Sequence, residues 1–189
     1  MRKVFLGITG ASGALYGLKT AEELSRRDDT ELHVCVTPDG YTNIRLETGE
    51  DASEEWLKNR FDAEIYDYRD FAASVSSGSF KVDHYVIAPA SMGSVGRIAS
   101  GVSSNLIERC ADVAMKERRD LVVMFRETPL NDIHLENLLK LSRAGAVVMP
   151  AAPGFYHNPQ NLDDLASFMT GKLFDILNIE HELFDRWEG

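Results

Sequence analysis

Two stretches of this 189-residue chain hold residues whose types and spacing can do chemistry. The first is GITGASGALYG, residues 7–17, with glycines at 7, 10, 13 and 17 directly after the apolar run Val4-Phe5-Leu6. A dinucleotide fingerprint needs G-x-G-x-x-G so that the backbone can approach a pyrophosphate; here the spacing is G-x-x-G-x-x-G, with Ser12 between the last two turns. That disfavours a dinucleotide and leaves two readings. Either a strand-to-helix turn offers backbone N–H groups and the Ser12 hydroxyl to a monophosphate, or the glycines only close a tight turn. The second stretch is FRETPLNDIHLENLLKL, residues 125–141. Arg126 and Glu127 follow the apolar run Leu121–Phe125, so both charges emerge at a strand end, where a cation beside a carboxylate can bind phosphate and move a proton. An ordinary surface ion pair contributes little, and the strand-end position favours the functional reading.

Other candidates carry weaker local signals. His134 lies in the first turns of a helix between Ile133 and Leu135, and reads as a packing or capping residue ahead of a general base. Arg109 and Lys116 are seven apart and share a helical face, which is ordinarily solvated charge. Tyr156, inside AAPGFYHNP, follows the last strand as a core plug or a ligand contact. Lys172 on the terminal helix has no signal of its own. Cys35 and Cys110 stand in apolar surroundings without metal-ligand spacing, and read as reduced core residues.

The elements that must position these residues are five short apolar runs: Val4–Ile8, Leu32–Val36, Tyr85–Ala88, Leu121–Phe125 and Ala146–Met149, with a weaker sixth at Ala63–Tyr66. They alternate with helical segments. Consecutive apolar positions suit strands buried on both faces, so the fold predicted is α/β: a single-domain doubly wound parallel sheet flanked by helices, Rossmann-like or flavodoxin-like, over residues 1–189. Thr37-Pro38 opens a helix running towards Glu47. Asn105–Arg118, Asn131–Arg143 and Leu162–Leu177 are amphipathic helices, and SVSSGSF, residues 74–80, is the most loop-like segment. In such a sheet ligands sit beyond the carboxyl ends of the strands. Thr9 to Gly13, Thr37, Ser91 to Ser94, Arg126 to Thr128 and Pro150 to Tyr156 all fall there.

Thirty acidic against twenty basic side chains give a net charge of −10. The average field repels nucleic acid and anionic membranes, so an anionic ligand must be held by local cations. The N-terminal Met1-Arg2-Lys3 is basic, but the apolar run behind it is too short for a signal-peptide core. No segment approaches membrane-spanning length, which points to the cytoplasm.

Taken together and in order, GITGASGALYG, PASMGSVGRIASG, NLIERCADVAMKERR, RETPLNDIHLENLLKLSRAGA and AAPGFYHNP resemble the UbiX/Pad-type flavin prenyltransferases, within the wider flavoprotein family that includes cysteine decarboxylases. The likeness runs from residue 4 to about residue 177. It implies an enzyme that joins a dimethylallyl unit from dimethylallyl phosphate to N5 and C6 of reduced FMN without a metal, making the cofactor of UbiD-type decarboxylases. By the same resemblance Gly10, Ala11, Ser12, Thr37, Ser91, Met92, Gly93, Ser94 and Arg126 bind FMN. Arg109, Lys116, Arg126, Tyr156 and Lys172 grip the substrate phosphate, and Ser12, Glu47 and Glu127 are the polar residues around the reacting flavin. A homo-oligomer, commonly a dodecamer with sites completed between subunits, is also implied.

Residue chemistry agrees with that reaction. Breaking an allylic C–O bond builds negative charge on phosphate and positive charge on carbon, which fixed cations and a π surface stabilise. Ring closure at C6 requires proton removal, by Glu127 or by the departing phosphate relayed through Ser12. Phe71 and the SSGSF loop are candidates for an aromatic wall, and Trp187 for a contact with a neighbouring copy. Four positions depart from the family pattern: Lys172 for arginine, Ala90 for cysteine, Phe71 for tryptophan and Thr37 for serine. Lys172 matters most, because it replaces a bidentate fork with a point charge. Two alternatives are weighed. Against an oxidative decarboxylase of a cysteine-containing substrate, this chain lacks that branch's loop asparagine, with Met92-Gly93 in its place, and has no histidine between Thr9 and His33 to act as base. A non-catalytic flavin carrier would not need four cations.

Overall fold

Along every central strand, side chains alternate between two buried faces, and this decides the architecture. The computed structural model describes residues 1–186; Trp187 lies outside the described residues. Six strands, β1 (Arg2–Ile8), β2 (Thr30–Val36), β3 (Glu64–Tyr66), β4 (His84–Ala90), β5 (Asp120–Phe125) and β6 (Val147–Pro150), form one sheet in the order β3-β2-β1-β4-β5-β6. All pairings are parallel. The chain order reverses direction between β1 and β4, and the crevice between their carboxyl ends is where such sheets take ligands.

On one face Val4, Leu6, Ile8, Val34, Val36, Val86, Val122 and Met124 pack under α1 (Ala14–Ser25), α2 (Pro38–Thr48), α3 (Glu54–Arg60) and α7 (Leu162–Ile176). On the other, Phe5, Cys35, Tyr85, Ile87, Leu121 and Val123 pack under α4 (Met92–Ala99), α5 (Leu106–Lys116) and α6 (Asp132–Arg143). Both cysteines are free and buried in this second core.

Helix starts follow the sequence closely. Thr37 caps α2 by accepting from Gly40 N, with Pro38 behind it, and Asn105 caps α5 by accepting from Glu108 N. Asn131 and His134 form a reciprocal capping box at α6, so His134 is a cap. The seven-residue α3 leaves no periodic signal, because Leu57 is its one buried side chain.

The loop-like 74–80 segment departs from expectation. It forms two short 3-10 turns, Ser74–Ser76 and Gly78–Phe80. Val75 is buried against α5, where the Cys110 thiol donates to its carbonyl at 3.4 Å. Phe80 ends beside the start of β1, with Lys3 Nζ 3.8 Å from its ring centre. The segment therefore runs down the flank of α5 to the amino edge of the sheet and does not wall the crevice of its own chain.

Candidate active site

Thr9 locks the two strand ends that frame the crevice. Its hydroxyl donates to the Pro89 carbonyl at 2.9 Å and accepts from Ser91 N at 2.7 Å, tying the β1 loop to the β4 loop. Gly10 follows where a Cβ would stand 2.5 Å from the Asp39 Cβ, so no side chain fits. Gly13 turns the chain into α1 at φ 96, a conformation that favours glycine. Two N–H groups of this turn are satisfied from 33 and 34 residues away: Glu47 Oε1 accepts from Gly13 N at 2.8 Å, and Oε2 from Ala14 N at 2.7 Å. Across the crevice, Arg126 Nε donates to the Ser12 carbonyl at 2.9 Å.

Beside this loop lies a cavity of about 260 Å³ lined by Gly10, Thr37, Ser91, Ser94, Arg97 and Asn105, among others. Thr37, Ser91 and Asn105 are the N-caps of α2, α4 and α5. Three helix N-termini thus converge on one small space, each presenting backbone N–H groups and the positive end of a dipole. Such a space suits a phosphate monoester. Of the residues assigned here by the sequence, Ala11 and Met92 are buried and Gly93 is exposed.

The predicted site residues do not all meet in one chain. Ser12, Glu47 and Arg126 share the glycine loop. Glu47 stands as a cap on α1, with both oxygens held by the backbone of the turn that carries Ser12. Glu127 is exposed, and its carboxylate accepts from Thr128 N at 3.0 Å. Tyr156 and Lys172 lie together beyond β6. The Tyr156 ring meets Phe168 edge-on at 5.7 Å, and Lys172 and Phe168 line a cavity of about 410 Å³ with Met149, Pro150 and Ala152. Lys172 Nζ is 3.5 Å from Asp175, a weak contact.

Arg109 and Lys116 are elsewhere. Arg109 is held by Asp112 at 2.9 Å and by the Ser76 carbonyl at 3.3 Å. Lys116 pairs with Glu117 and lines a basic cavity with Arg118, Arg119 and Arg143, where β5 and β6 begin. The length of β5, about 20 Å at ~3.3 Å per residue, separates it from Arg126. The expectation that all the cations gather at one sheet edge fails for Lys116 within one chain, because a helix that leads into a parallel strand must end at the amino edge.

Several site residues escaped the sequence reading. Tyr16 sits near both Arg126 and Glu47. Burial and the Glu47 charge push its phenol up and Arg126 pulls it down, leaving it above the ordinary tyrosine range. Arg97 donates through Nε to Glu108 at 2.5 Å, and Glu108 is 1% exposed. Glu108 also accepts from Ser104 N, Ser104 Oγ and Asn105 Nδ2. Burial alone would raise its carboxyl, but the Ser104 and Arg97 hydrogen bonds hold it below the usual carboxylate range. The one available signal was the N-x-x-E spacing of Asn105 and Glu108 at a helix start.

Residues 1–179 match the Flavoprotein family. Flavin prenyltransferase LpdB of Lactiplantibacillus plantarum is 46% identical over 189 residues, covering 100% of both chains. Among solved structures, AnUbiX (PadA1) in complex with FMN and dimethylallyl pyrophosphate superposes with a TM-score of 0.92 at 38% identity, covering 100% of this chain and 98% of that one. A dodecameric FMN-dependent UbiX-like decarboxylase from Escherichia coli O157:H7 gives 0.94 at 37% identity, over 99% and 100% of the two chains. Identity of that order along whole chains goes well past a shared fold: the chain belongs to the Flavoprotein family, in its flavin prenyltransferase branch.

Proposed function

We propose that the protein transfers a dimethylallyl group from dimethylallyl phosphate to N5 and C6 of reduced FMN, releasing phosphate and closing a fourth ring on the flavin. The observation that carries this reading is the polar cavity of about 260 Å³ at the switch point, where three helix N-termini converge one loop away from the Ser12–Arg126 contact. The relatives are named for the activity, and a close structural neighbour holds FMN with a dimethylallyl donor.

Reduced FMN supplies the electron-rich N5 and C6; the rest falls to the chain. Thr37, Ser91 and Ser94, with backbone from Gly10, Ala11, Met92 and Gly93, hold the flavin phosphate and ribityl chain. Arg126 and Ser12 flank the isoalloxazine edge. As the allylic C–O bond breaks, its electron pair leaves with the phosphate, and Arg126, Tyr156 and Lys172 stabilise the growing negative charge. In its own chain Lys116 lies at the opposite edge of the sheet and Arg109 is held by Asp112 and the Ser76 carbonyl, so they join the set from another copy. Glu47 keeps the glycine loop in place. Glu127, or the departing phosphate through Ser12, takes up the proton that N5 gives up as it takes the allyl carbon, and one is returned to the alkene as ring closure adds C6–H across the remaining double bond.

We further read the protein as a cytoplasmic homo-oligomer, with a dodecamer as the model from the Escherichia coli relative, delivering its product to a UbiD-type decarboxylase. No helix among the described residues is long and apolar enough to cross a membrane. Anaerobic incubation with reduced FMN and dimethylallyl phosphate, followed by mass measurement of the released flavin, tests the reaction. A gain of one prenyl unit is expected; bound but unchanged FMN overturns it in favour of a flavin carrier.

A further inference from the structure

Arg97 occupies an unusual position for a cation. It belongs to the last turn of α4, yet its side chain folds back along the helix. Nη2 lies 3.4 Å from Ser94 Oγ, and Nη1 stands over Gly93, 3.5 Å from where a Cβ would be. The guanidinium therefore sits at the first turn of its own helix, at the positive end of the dipole, where a cation is normally disfavoured. It also lines the cavity onto which α2, α4 and α5 converge.

What holds it there is Glu108, a carboxylate whose side chain is 0% exposed while the Arg97 side chain is 45% exposed. A buried carboxylate with one charge partner and three further donors is a fixed anchor, and breaking such a pair is costly. The pairing uses Nε. Nη1 has no hydrogen-bond partner among the described residues, so the open side of the fork is left to face the cavity. A planar guanidinium pinned on one side presents its remaining donors in a set direction, as recognition of a phosphate requires.

We propose that Arg97 reads the phosphate of the flavin mononucleotide and that Glu108 is its positioning residue, so that the pair makes the site select FMN over the unphosphorylated flavin. This rests on the assignment of the cavity to the flavin phosphate. Selection comes from a loss as well as a gain: with riboflavin in the crevice, the open side of the Arg97 fork and three helix N-termini lose the phosphate that would satisfy them, and Asp39 is the one acidic side chain among the described residues that also lines the cavity.

The test is a titration of the flavin-free full-length protein with FMN and with riboflavin, following quenching of flavin fluorescence. The wild-type protein is expected to hold FMN far more tightly than riboflavin. Arg97→Gln should reduce that preference by about tenfold or more while leaving riboflavin affinity in place, and Arg97→Lys should fall between. Glu108→Gln, which keeps a hydrogen-bonding side chain but removes the charge, should shift the preference in the same direction with riboflavin binding retained. The double variant Arg97→Gln/Glu108→Gln removes both charges at once and should match Arg97→Gln alone; it also covers the case in which a single variant fails to fold. An unchanged preference in Arg97→Gln or in the double variant overturns the proposal. Parallel loss of both flavins in Glu108→Gln makes Glu108 a structural residue and overturns its positioning role. A wild-type protein without preference for FMN overturns the assignment of the cavity itself, a separate failure.

Discussion

Arg126 reaches from the end of β5 to donate its Nε to the carbonyl of Ser12, 114 residues earlier, at 2.9 Å. The contact fixes the only described guanidinium that touches the glycine loop, and leaves its terminal amines free to meet an anion. Arg126→Met should lower the prenyl-transfer rate on the order of 10²–10³-fold. Arg126→Lys should recover a small part of it, since an ammonium keeps the charge but loses the fork. Initial rates under anaerobic conditions, with FMN binding measured in parallel, would show whether the loss lies in the reaction or in flavin affinity.

Ser12 is exposed, and its hydrogen bond with Arg126 uses its carbonyl. Ser12→Ala should therefore change stability by no more than about 0.5 kcal/mol while slowing the transfer on the order of 10²-fold. Full activity in a Ser12→Ala protein would remove the hydroxyl from the proton path.

Glu47 has a structural duty that can be read separately from chemistry. Glu47→Ala leaves the first N–H groups of α1 unpaired and should cost about 1–2 kcal/mol, roughly 2–8 °C of melting temperature in a chain of this size. Thermal denaturation of the flavin-free protein checks it, and an unchanged melting temperature would mean that the cap is not formed in solution.

Lys116 sits at the edge of the sheet opposite Arg126, so its contribution to the reaction requires a second copy of the chain. A Lys116→Ala protein and a Ser12→Ala protein, each poorly active alone, should regain activity when mixed under conditions that let subunits exchange. Sites then form that take an intact Lys116 from one copy and an intact Ser12 from another. No recovery after demonstrated exchange would exclude Lys116 from the shared site.

Glu108 predicts an acid limb in stability. Its folded-state pKa lies below the ordinary value of 4.5, so the unfolded chain takes up the proton first as the pH falls. The stabilisation is complete above that ordinary value and is lost progressively below it as the folded carboxyl titrates. Urea midpoints measured from about pH 6 down to 3 should fall more steeply for wild type than for Glu108→Gln, whose amide does not titrate.

The central strands were legible because burial on both faces writes them as unbroken apolar runs; Val4–Ile8 needed only two residues added at its start. Helix α3 was not, since seven residues with a single buried leucine give no period to detect. Strand ends located Ser12, Thr37, Ser91 and Arg126 correctly, because the crevice position follows from parallel topology. The target of Glu47 was hidden by a sequence separation of 34 residues. Arg97 and Glu108 were hidden for a different reason: an arginine on a short helix and a glutamate in a first turn both look like solvated charge, and only packing reveals that one is buried. The place of Lys116 was available in principle, because a helix feeding a parallel strand returns to the amino edge. The spacing of seven from Arg109 drew attention to a shared face instead.

The convergence of three helix N-termini inside a chain of net charge −10 sets near and far electrostatics against each other. A phosphorylated ligand is repelled on approach and attracted only within the last few ångströms, since dipole fields fade beyond the first turn while the overall charge acts over about a Debye length. Added salt should then speed encounter by screening the exterior and hasten departure by weakening the grip inside. Ionic strength would thus alter how quickly the site exchanges its phosphorylated ligands more than how tightly it holds them.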